Sequence, residues 1–259
     1  MINKIVILGS GNLAFHFCKA ACIAGVEISQ IFSRNLETAS QLANMAGCDF
    51  TNDINKIDEN ADTFLFAMTD EANLSIVKKL KPYPDKTLLH TAGSLSMNIF
   101  ENITENYGVF YPFQTFSRNS KIDFSKLPLC IEASNKQTLN ALIHLSERLR
   151  CNYYIINEEQ RQVIHLSGVF GCNFMNHCIS LAEKILEDNK IDKNIIKALL
   201  KQSFEKVIEN GAFASQTGPA VRRDYEIMEK HAQFLSKDEL LLEIYKLMSK
   251  SIEETHFKK

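Results

Sequence analysis

The sequence predicts an α/β protein, with a doubly wound parallel sheet in its N-terminal part and an all-α domain after it. Two observations support this fold class. Short apolar runs alternate with amphipathic helical stretches up to residue 156, which is the pattern of successive βαβ units. Beyond that residue the sequence has helical periodicity and no convincing strand. We therefore expect two domains, residues 1–156 and residues 157–259.

The predicted elements follow one another in the order that such a fold requires. Strands are expected at Lys4–Leu8, Val26–Phe32, Thr63–Ala67, Thr87–His90, Gly108–Tyr111, Leu129–Glu132 and Tyr153–Ile156. Helices are expected in the first half at Leu13–Ala24, Leu36–Met45 and Leu139–Leu149. In the second half helices are expected at Glu158–Asp188, Lys193–Asn210, Tyr225–Leu235 and Lys237–Glu254. The segment Ser236–Glu239 before the last helix has the form of a capping box.

Composition and charge limit the class of protein. Hydrophobic residues make up 45% and charged residues 23% of the chain, which is typical of a globular protein. The 29 Lys and Arg against 31 Asp and Glu give a net charge of −2, which argues against nucleic acid or a membrane surface as partner. The apolar run Ile5–Leu8 is too short for a signal or membrane segment, so we expect a cytoplasmic protein. The seven cysteines form no CxxC pair, so we expect reduced thiols and no metal site.

A glycine-rich turn joins the first predicted strand to the first helix. Residues 9–14 read Gly-Ser-Gly-Asn-Leu-Ala, the GxGxxA form of a Rossmann dinucleotide-binding turn. Gly9 makes the tight turn, Gly11 lets the backbone approach a pyrophosphate, and Ala14 lets the helix pack close to the strand. The pyrophosphate is expected at the helix N-terminus, where free N–H groups and the helix dipole favour negative charge. A merely structural turn is the alternative, but the position between strand and helix favours a nucleotide.

The end of the second predicted strand indicates which dinucleotide binds. In NAD-binding domains an acidic residue there binds the ribose 2′-hydroxyl, whereas this chain has Ser33, Arg34 and Asn35. The Ser33 hydroxyl and the Arg34 guanidinium are suited to hydrogen-bond a 2′-phosphate. NADP is therefore the expected cofactor. The alternative is that Arg34 is a solvated residue at a helix start.

Two further strands change from apolar to polar at their carboxyl ends, where the crevice of a doubly wound sheet opens. The first ends in Ala67–Asp70, and its Asp70 is equally suited to cap the next helix. The second leads into Thr91–Gly93, where small residues would let the nicotinamide lie against the backbone. The predicted cofactor-binding residues are Gly9, Ser10, Gly11, Asn12, Leu13, Ser33, Arg34, Asn35, Ala67, Met68, Thr69, Asp70, Thr91, Ala92 and Gly93.

These segments resemble a known superfamily. Gly9–Ala14, Phe66–Asp70 and Thr91–Gly93 resemble the pyrroline-5-carboxylate reductases and deazaflavin-dependent NADP reductases. A closer likeness covers essentially the whole chain. The segments His90–Ser94, Tyr111–Phe116 and Thr217–Asp224 are similar to an uncharacterised family of Rossmann-like predicted NADP oxidoreductases with a helical C-terminal domain of unknown function.

The resemblance implies a Rossmann domain followed by a helical domain of the 6-phosphogluconate-dehydrogenase C-terminal type. Such domains are commonly used for dimerisation, so a homodimer through the helical domain is expected. Hydroxyacid dehydrogenases of the wider superfamily place a catalytic lysine on the long helix between the domains. The first lysine of the corresponding helix here is Lys184, which lies too far along the helix to match. This departure argues against hydroxyacid dehydrogenase activity.

The long predicted helix also carries the candidate catalytic residues, His165 and Asn173, on one polar stripe. The ordinary pKa of histidine, about 6.5, suits proton exchange under neutral conditions, and Asn173 is suited to orient a carbonyl or amine. The alternative is that His165 is a satisfied interface histidine and Asn173 a buried hydrogen bond between helices. His90 has the same two interpretations, with loop bonding slightly favoured.

Substrate-binding residues are predicted in two other segments. Tyr111 and Gln114 lie in an extended Tyr-Pro-Phe-Gln-Thr-Phe loop, and Thr217 and Arg222 lie in a turn between two predicted helices. Arg222 is expected to bind an anionic group of the substrate. The alternative is that Arg222 is simply solvated.

Together these features predict an oxidoreductase that transfers a hydride between NADP(H) and the C=N or C=O group of a small organic substrate, in a cleft between the two domains. The alternative is a non-catalytic NADP-binding sensor or regulatory protein, because no residue is unmistakably catalytic. The two differ in whether bound NADPH is oxidised when substrates are offered.

Overall fold

The computed structural model describes residues 1–257, which form two compact units. The first unit comprises residues 1–171 and contains the sheet, and the second begins at Cys172 and is helical. The predicted boundary at residue 156 directly follows the last strand. The first unit also includes the next helix and ends only at Gly171.

The first unit alternates strands and helices. Its strands are β1 Lys4–Leu8, β2 Glu27–Phe32, β3 Asp49–Thr51, β4 Thr63–Phe66, β5 Thr87–His90, β6 Asn106–Pro112, β7 Pro128–Ala133 and β8 Asn152–Ile155. Its helices are α1 Asn12–Ile23, α2 Leu36–Ala46, α3 Asp70–Val77, α4 Lys136–Arg148 and α5 Glu158–Gly168. Short 3₁₀ turns lie at Ile54–Lys56, Met97–Phe100 and Phe124–Lys126.

The eight strands form one sheet in the order β3-β2-β1-β4-β5-β6-β7-β8. The chain moves outward from β1 in one direction through β2 and β3, and in the other direction from β4 onward, so β1 and β4 flank the topological switch point. Leu8 pairs with both Phe32 and Phe66, and Phe66 pairs with His90. The carboxyl ends of β1, β2, β4 and β5 therefore lie side by side, and the loops after them open at one edge.

Two details of the sheet differ from the sequence prediction. Strand β7 runs antiparallel to β6, while every other pair is parallel. The chain between β6 and β7 contains only a 3₁₀ turn, and without a crossover helix the returning strand runs the other way. Strand β3 was not predicted, because it is only three residues long and largely exposed at the edge of the sheet.

Apolar side chains fill both faces of the sheet. Ile5 and Ile7 of β1 pack in one cluster together with Phe17 of α1 and Leu142 of α4. Val6 and Leu8 point to the opposite face, in a second cluster with Phe64, Phe66 and Phe100. This alternation is what a strand buried on both faces requires, and it fixes the position of the turn that follows β1.

The chain after β8 remains helical to residue 188, as expected. Helix α5 is followed by a π-helical segment at Val169–Phe174 and then by α6, Met175–Asp188, the first full helix of the second unit. The side chain of Asn157 accepts from the Gln160 N–H at 2.8 Å and completes a capping box at the start of α5. π-Helical segments occur mostly as insertions in α-helices, often at functional sites.

The second unit consists of helices. After α6 they are a 3₁₀ turn at Lys193–Ile196, α7 Lys197–Asn210, α8 Ala212–Ser215, α9 Pro219–Arg222, α10 Tyr225–Phe234 and α11 Glu239–Phe257. Helix α11 begins two residues later than predicted, and its first turn is capped by Asp238, which accepts from the Leu241 N–H at 3.1 Å, rather than by Ser236. No helix among residues 1–257 is both long and apolar enough to cross a membrane.

Candidate functional site

A cavity of about 730 Å³ lies in the first unit at the carboxyl ends of the central strands. Eleven of the fifteen predicted cofactor-binding residues line it: Gly9, Ser10, Gly11, Asn12, Leu13, Ser33, Arg34, Ala67, Met68, Thr69 and Thr91. The sequence did not point to the other lining residues, which are Phe32, Asn52, Asp53, Ile54, Ala72, Ser75, Ile76 and Lys79. Phe32 ends β2, the next three follow β3, and the last four lie in α3 or just after it.

The glycine turn requires glycine at its first position. Gly9 has a φ of +126°, and a Cβ atom at this residue would lie 2.2 Å from the carbonyl oxygen of Ala67. Its N–H donates to the carbonyl of Phe32 at 2.8 Å. Gly9 therefore holds the ends of β1, β2 and β4 together, at a distance that no side chain would permit.

The N-terminus of α1 has unused hydrogen-bond donors. Gly11 is the N-cap residue and offers no side-chain acceptor, and the first turn contains no acidic residue. The first helical hydrogen bond runs from the Phe15 N–H to the Gly11 carbonyl, so the N–H groups of the three residues before Phe15 have no helical partner. The space beside Gly11 is open, with no atom within 4 Å of a Cβ placed there. This geometry suits an anion.

Hydroxyl groups and a cation gather at the end of β2. The Ser10 hydroxyl lies 2.8 Å from that of Ser33 and 2.6 Å from that of Thr38. Arg34 is exposed, and its guanidinium has no hydrogen bond or ion pair within residues 1–257. Arg34 and Lys79 are the basic side chains on the cavity wall and Asp53 is the acidic one. The wall thus carries a small excess of positive charge beside the hydroxyl groups.

Four of the predicted cofactor-binding residues do not line the cavity. Asn35 caps α2 by accepting from the Thr38 N–H at 3.1 Å. Asp70 is not the cap of α3, because Thr69 takes that role and accepts from the Ala72 N–H at 3.4 Å. The Asp70 carboxylate instead accepts from the Ser94 hydroxyl. Ala92 and Gly93 lie outside the lining set, directly after Thr91, which does belong to it.

His165 and Tyr111 meet beside Gly93. The Tyr111 hydroxyl lies 3.1 Å from Nδ1 of His165. A Cβ atom at Gly93 would lie 2.6 Å from the same nitrogen and 2.9 Å from Cζ of Tyr111, so a larger residue there would displace the pair from its present position. Burial raises the pKa of the Tyr111 hydroxyl to about 12, against an opposing effect of Arg161. The phenol therefore stays protonated at neutral pH.

A buried ion pair lies behind this loop, and the sequence did not point to it. The Arg161 side chain is 0% exposed, and its guanidinium bonds Glu132 of β7 and the carbonyls of Ala92 and Gly93. Burial raises the pKa of Glu132, although Arg161 opposes this shift. Burial, reinforced by Arg161, lowers the pKa of His90 to about 3. His90 is thus neutral, and its Nδ1 accepts from the Ala92 N–H at 3.2 Å, which agrees with the loop-bonding interpretation.

The segment between β6 and β7 lies against the glycine turn. Arg118 donates to the carbonyl of Ser10 at 3.3 Å and to the side chain of Gln41 at 2.8 Å. The Asn12 amide donates to the carbonyl of Phe116 at 2.9 Å. Gln114, a predicted substrate-binding residue of the same segment, turns back and accepts from the Thr115 N–H at 2.9 Å. The segment therefore supports the turn, and its side chain Arg118 adds a cation near it.

Three predicted site residues lie in the second unit. Asn173 is exposed in the π-helical segment, Thr217 is exposed before α9, and Arg222 is exposed at the end of α9. The roles predicted for these residues in catalysis and substrate binding stay predictions. Among residues 1–257, no group of His, Cys, Asp and Glu side chains is arranged to hold a metal ion.

The sheet, the glycine turn and the helices that follow define a Rossmann-fold protein with a helical C-terminal part. A family model described as a domain of unknown function (DUF2520) matches residues 127–252. A protein from Bacteroides fragilis, whose crystal structure names it a putative NADP oxidoreductase, has a sequence 34% identical to this chain. The comparison covers 98% of each chain and gives a TM-score of 0.89. The chain belongs to the same family as that NADP oxidoreductase-like protein.

More distant structures share the fold. A protein from Thermotoga maritima is 21% identical, with 97% of this chain and 98% of that chain covered and a TM-score of 0.75. A 1-pyrroline-5-carboxylate reductase from Streptococcus pyogenes is 15% identical, with 98% of each chain covered and a TM-score of 0.63. No curated protein sequence matches the chain. These likenesses agree with a Rossmann unit followed by helices.

Proposed function

We propose that the protein is an NADP-dependent oxidoreductase that transfers a hydride between NADP(H) and the C=N or C=O group of a small organic substrate. The observation that carries this proposal is the cavity: it combines a GxGxxA turn, a helix N-terminus without a side-chain cap, and Arg34, which has no partner among residues 1–257. Names of relatives support it. The Bacteroides fragilis relative is named a putative NADP oxidoreductase, and a reductive aminase with the same fold has been solved in complex with NADPH.

The residues of the cavity fit NADP. The free N–H groups at the start of α1 are suited to bind the pyrophosphate. Arg34 and the hydroxyl of Ser33 bind the 2′-phosphate, where a guanidinium forms charge-assisted hydrogen bonds. Thr91 on the cavity wall, with the loop that continues to Gly93, would hold the nicotinamide. When bound, the cofactor supplies or accepts the hydride at C4 of its nicotinamide ring.

The pair formed by Tyr111 and His165 handles the proton. The Tyr111 hydroxyl oxygen accepts from the Nδ1–H of His165, which leaves Nε2 to exchange a proton with the substrate. In the reductive direction the protonated imidazole of His165 would give the proton on Nε2 to the substrate nitrogen or oxygen as the substrate carbon gains the hydride, and the neutral imidazole would then take up a proton from solvent. In the oxidative direction the same imidazole takes up that proton. Atoms and charge balance in both directions.

The experiment that tests the proposal has two stages. NADPH and NADH are first titrated calorimetrically into the protein, and NADPH is expected to bind more tightly. A panel of aldehydes, ketones and imines is then offered, and the absorbance of the dihydronicotinamide is followed for the wild type and His165→Ala. Oxidation by the wild type and oxidation slower by about 10²–10⁴-fold by His165→Ala, with equal NADPH binding, is expected. Binding without oxidation of any member would favour the sensor alternative, and absence of binding would reject the proposal.

We also propose that the protein forms a homodimer through its second unit. Of residues 172–257 only Ala220, Leu241 and Ser249 are buried. Large apolar side chains remain exposed on its helices, among them Ile208 at 82% and Leu247 at 68%. Apolar surface of this extent is typical of a surface covered by another chain. The cytoplasmic location expected from the sequence stays a prediction.

A further inference from the structure

We infer that Arg161 is a positioning residue, which holds the loop after β5 in place for the nicotinamide by binding two of the loop's backbone carbonyls. This inference rests on the proposed function, since it assigns a role to a residue behind the same site. Arg161 itself lines no part of the cavity. It acts through Ala92 and Gly93, the residues that directly follow Thr91 on the cavity wall.

Arg161 makes contacts on two sides of its guanidinium. On one side Nη1 donates to the carbonyls of Gly93 at 2.9 Å and of Ala92 at 3.3 Å. On the other side Nε donates to Oε2 of Glu132 at 3.2 Å, and Nη2 lies 3.2 Å from the same oxygen. The planar guanidinium therefore links β7 to the loop after β5. A lysine has a single ammonium group and is not shaped to make both sets of contacts.

A gain in folding stability does not by itself explain why Arg161 is buried in an ion pair at this position. A buried ion pair loses its hydration, and the attraction between the two charges often only offsets that loss. An apolar pair of similar size therefore commonly gives equal or greater stability. What the ion pair does provide is a single allowed arrangement of the groups around it. Here those groups are two carbonyls of the loop that leads from the cavity wall to His165.

Helix α5 contacts the same loop at three successive turns. Glu158 accepts from the Ser96 hydroxyl at 2.6 Å, Arg161 binds the two carbonyls, and His165 lies against Gly93. Arg161 and His165 are four residues apart and so lie on one face of the helix. Arg161 therefore sets both the path of the loop and the distance from that loop to the Tyr111–His165 pair.

The test compares the binding of whole NADPH with the binding of a ligand that contains only its adenosine half. Arg161→Lys is titrated with NADPH and with adenosine 2′,5′-bisphosphate, which contains the 2′-phosphate but lacks the nicotinamide. We expect NADPH affinity to fall on the order of tenfold, while the affinity for the bisphosphate changes by less than about twofold. A parallel fall for both ligands, or no fall for NADPH, would overturn the inference. Failure of the wild type to bind NADPH would instead reject the proposed function.

Arg148 provides a matched control, and the ring NMR signals of His165 provide a second measurement. Arg148 also donates to backbone carbonyls, those of Ile2 and Gly25, away from the cavity. Arg148→Lys should leave both affinities and the ring NMR signals of His165 unchanged, whereas Arg161→Lys should shift those signals even without nucleotide. If Arg161→Lys does not fold, the apolar pair Arg161→Met with Glu132→Leu replaces it, with the same selective loss of NADPH affinity expected. Unshifted His165 signals in both Arg161 variants would contradict the inference.

Discussion

The Tyr111 hydroxyl and Nδ1 of His165 lie 3.1 Å apart, although the two residues are 54 positions apart in the chain. Tyr111 comes from β6 and His165 from α5, and both touch the space that a side chain at Gly93 would fill. Both residues were predicted to belong to the site, but for different tasks. On the proposed function, this contact would make Tyr111 a partner of the proton donor in addition to its predicted role in the substrate site.

This contact predicts graded kinetic effects. His165→Ala should lower kcat by about 10²–10⁴-fold, the range for loss of a general acid–base group. Tyr111→Phe keeps the ring and removes only the hydroxyl, so it should lower kcat less, on the order of tenfold. NADPH affinity should be preserved in both variants. Steady-state rates with a substrate from the carbonyl and imine panel, together with NADPH titrations, check this. A kcat of His165→Ala equal to that of the wild type would show that the proton comes from another group.

Arg34 should decide the choice of cofactor. Its guanidinium is exposed on the cavity wall without a partner among residues 1–257, so it is available to a 2′-phosphate. Arg34→Ala should weaken NADPH binding by about tenfold to a hundredfold and leave NADH binding nearly unchanged. Lys78→Ala is the matched control, because Lys78 is exposed but does not line the cavity. Equal calorimetric affinities of the wild type for NADPH and NADH would contradict the assignment.

Substitutions of the two glycines of the turn should have different effects, one on stability and the other on dinucleotide binding. A Cβ at Gly9 meets the Ala67 carbonyl, whereas a Cβ at Gly11 meets no atom within 4 Å. Gly9→Ala should therefore lower the free energy of unfolding by about 3 kcal/mol or more. Gly11→Val should keep the fold and lose dinucleotide binding, because its side chain would fill space needed by the pyrophosphate. Urea unfolding and NADPH calorimetry distinguish these results, and unchanged NADPH affinity in a folded Gly11→Val protein would remove the argument for the turn.

The parts of the site that sequence reasoning found are those encoded locally. The turn of Gly9 and Gly11 needs only a strand, a short motif and a helix in succession, and the structure brings these residues to the cavity. Contacts between segments that are distant in the chain leave no such motif in the sequence. Arg161 meets Gly93 from 68 positions away, and Arg118 meets Ser10 from 108 positions away. A lone arginine in an amphipathic helix looks solvated in sequence, and only the packing of α5 against the sheet buries it.

The exposed apolar surface of the second unit predicts self-association. Sedimentation across the micromolar range should show a dimer, and a concentration-independent monomer would contradict the proposal. Ile208→Asp and Leu247→Asp each place a charge on an exposed apolar position, so both should weaken the dimer. Lys201→Asp serves as control, because it changes a side chain that is already charged and 79% exposed.

His90 should make the protein sensitive to mild acid. Burial and the nearby Arg161 lower its pKa from 6.5 to about 3 in the folded state, so only the unfolded chain takes up a proton between these values. Stability should therefore fall as the pH drops below about 6.5, by about 2 kcal/mol between about pH 7 and about pH 5. His90→Asn retains an acceptor for the Ala92 N–H but does not titrate. Between about pH 7 and about pH 5, the free energy of unfolding of this variant, measured in urea, should therefore fall by about 2 kcal/mol less than that of the wild type. If the wild type and His90→Asn lose the same free energy, His90 is not the group responsible.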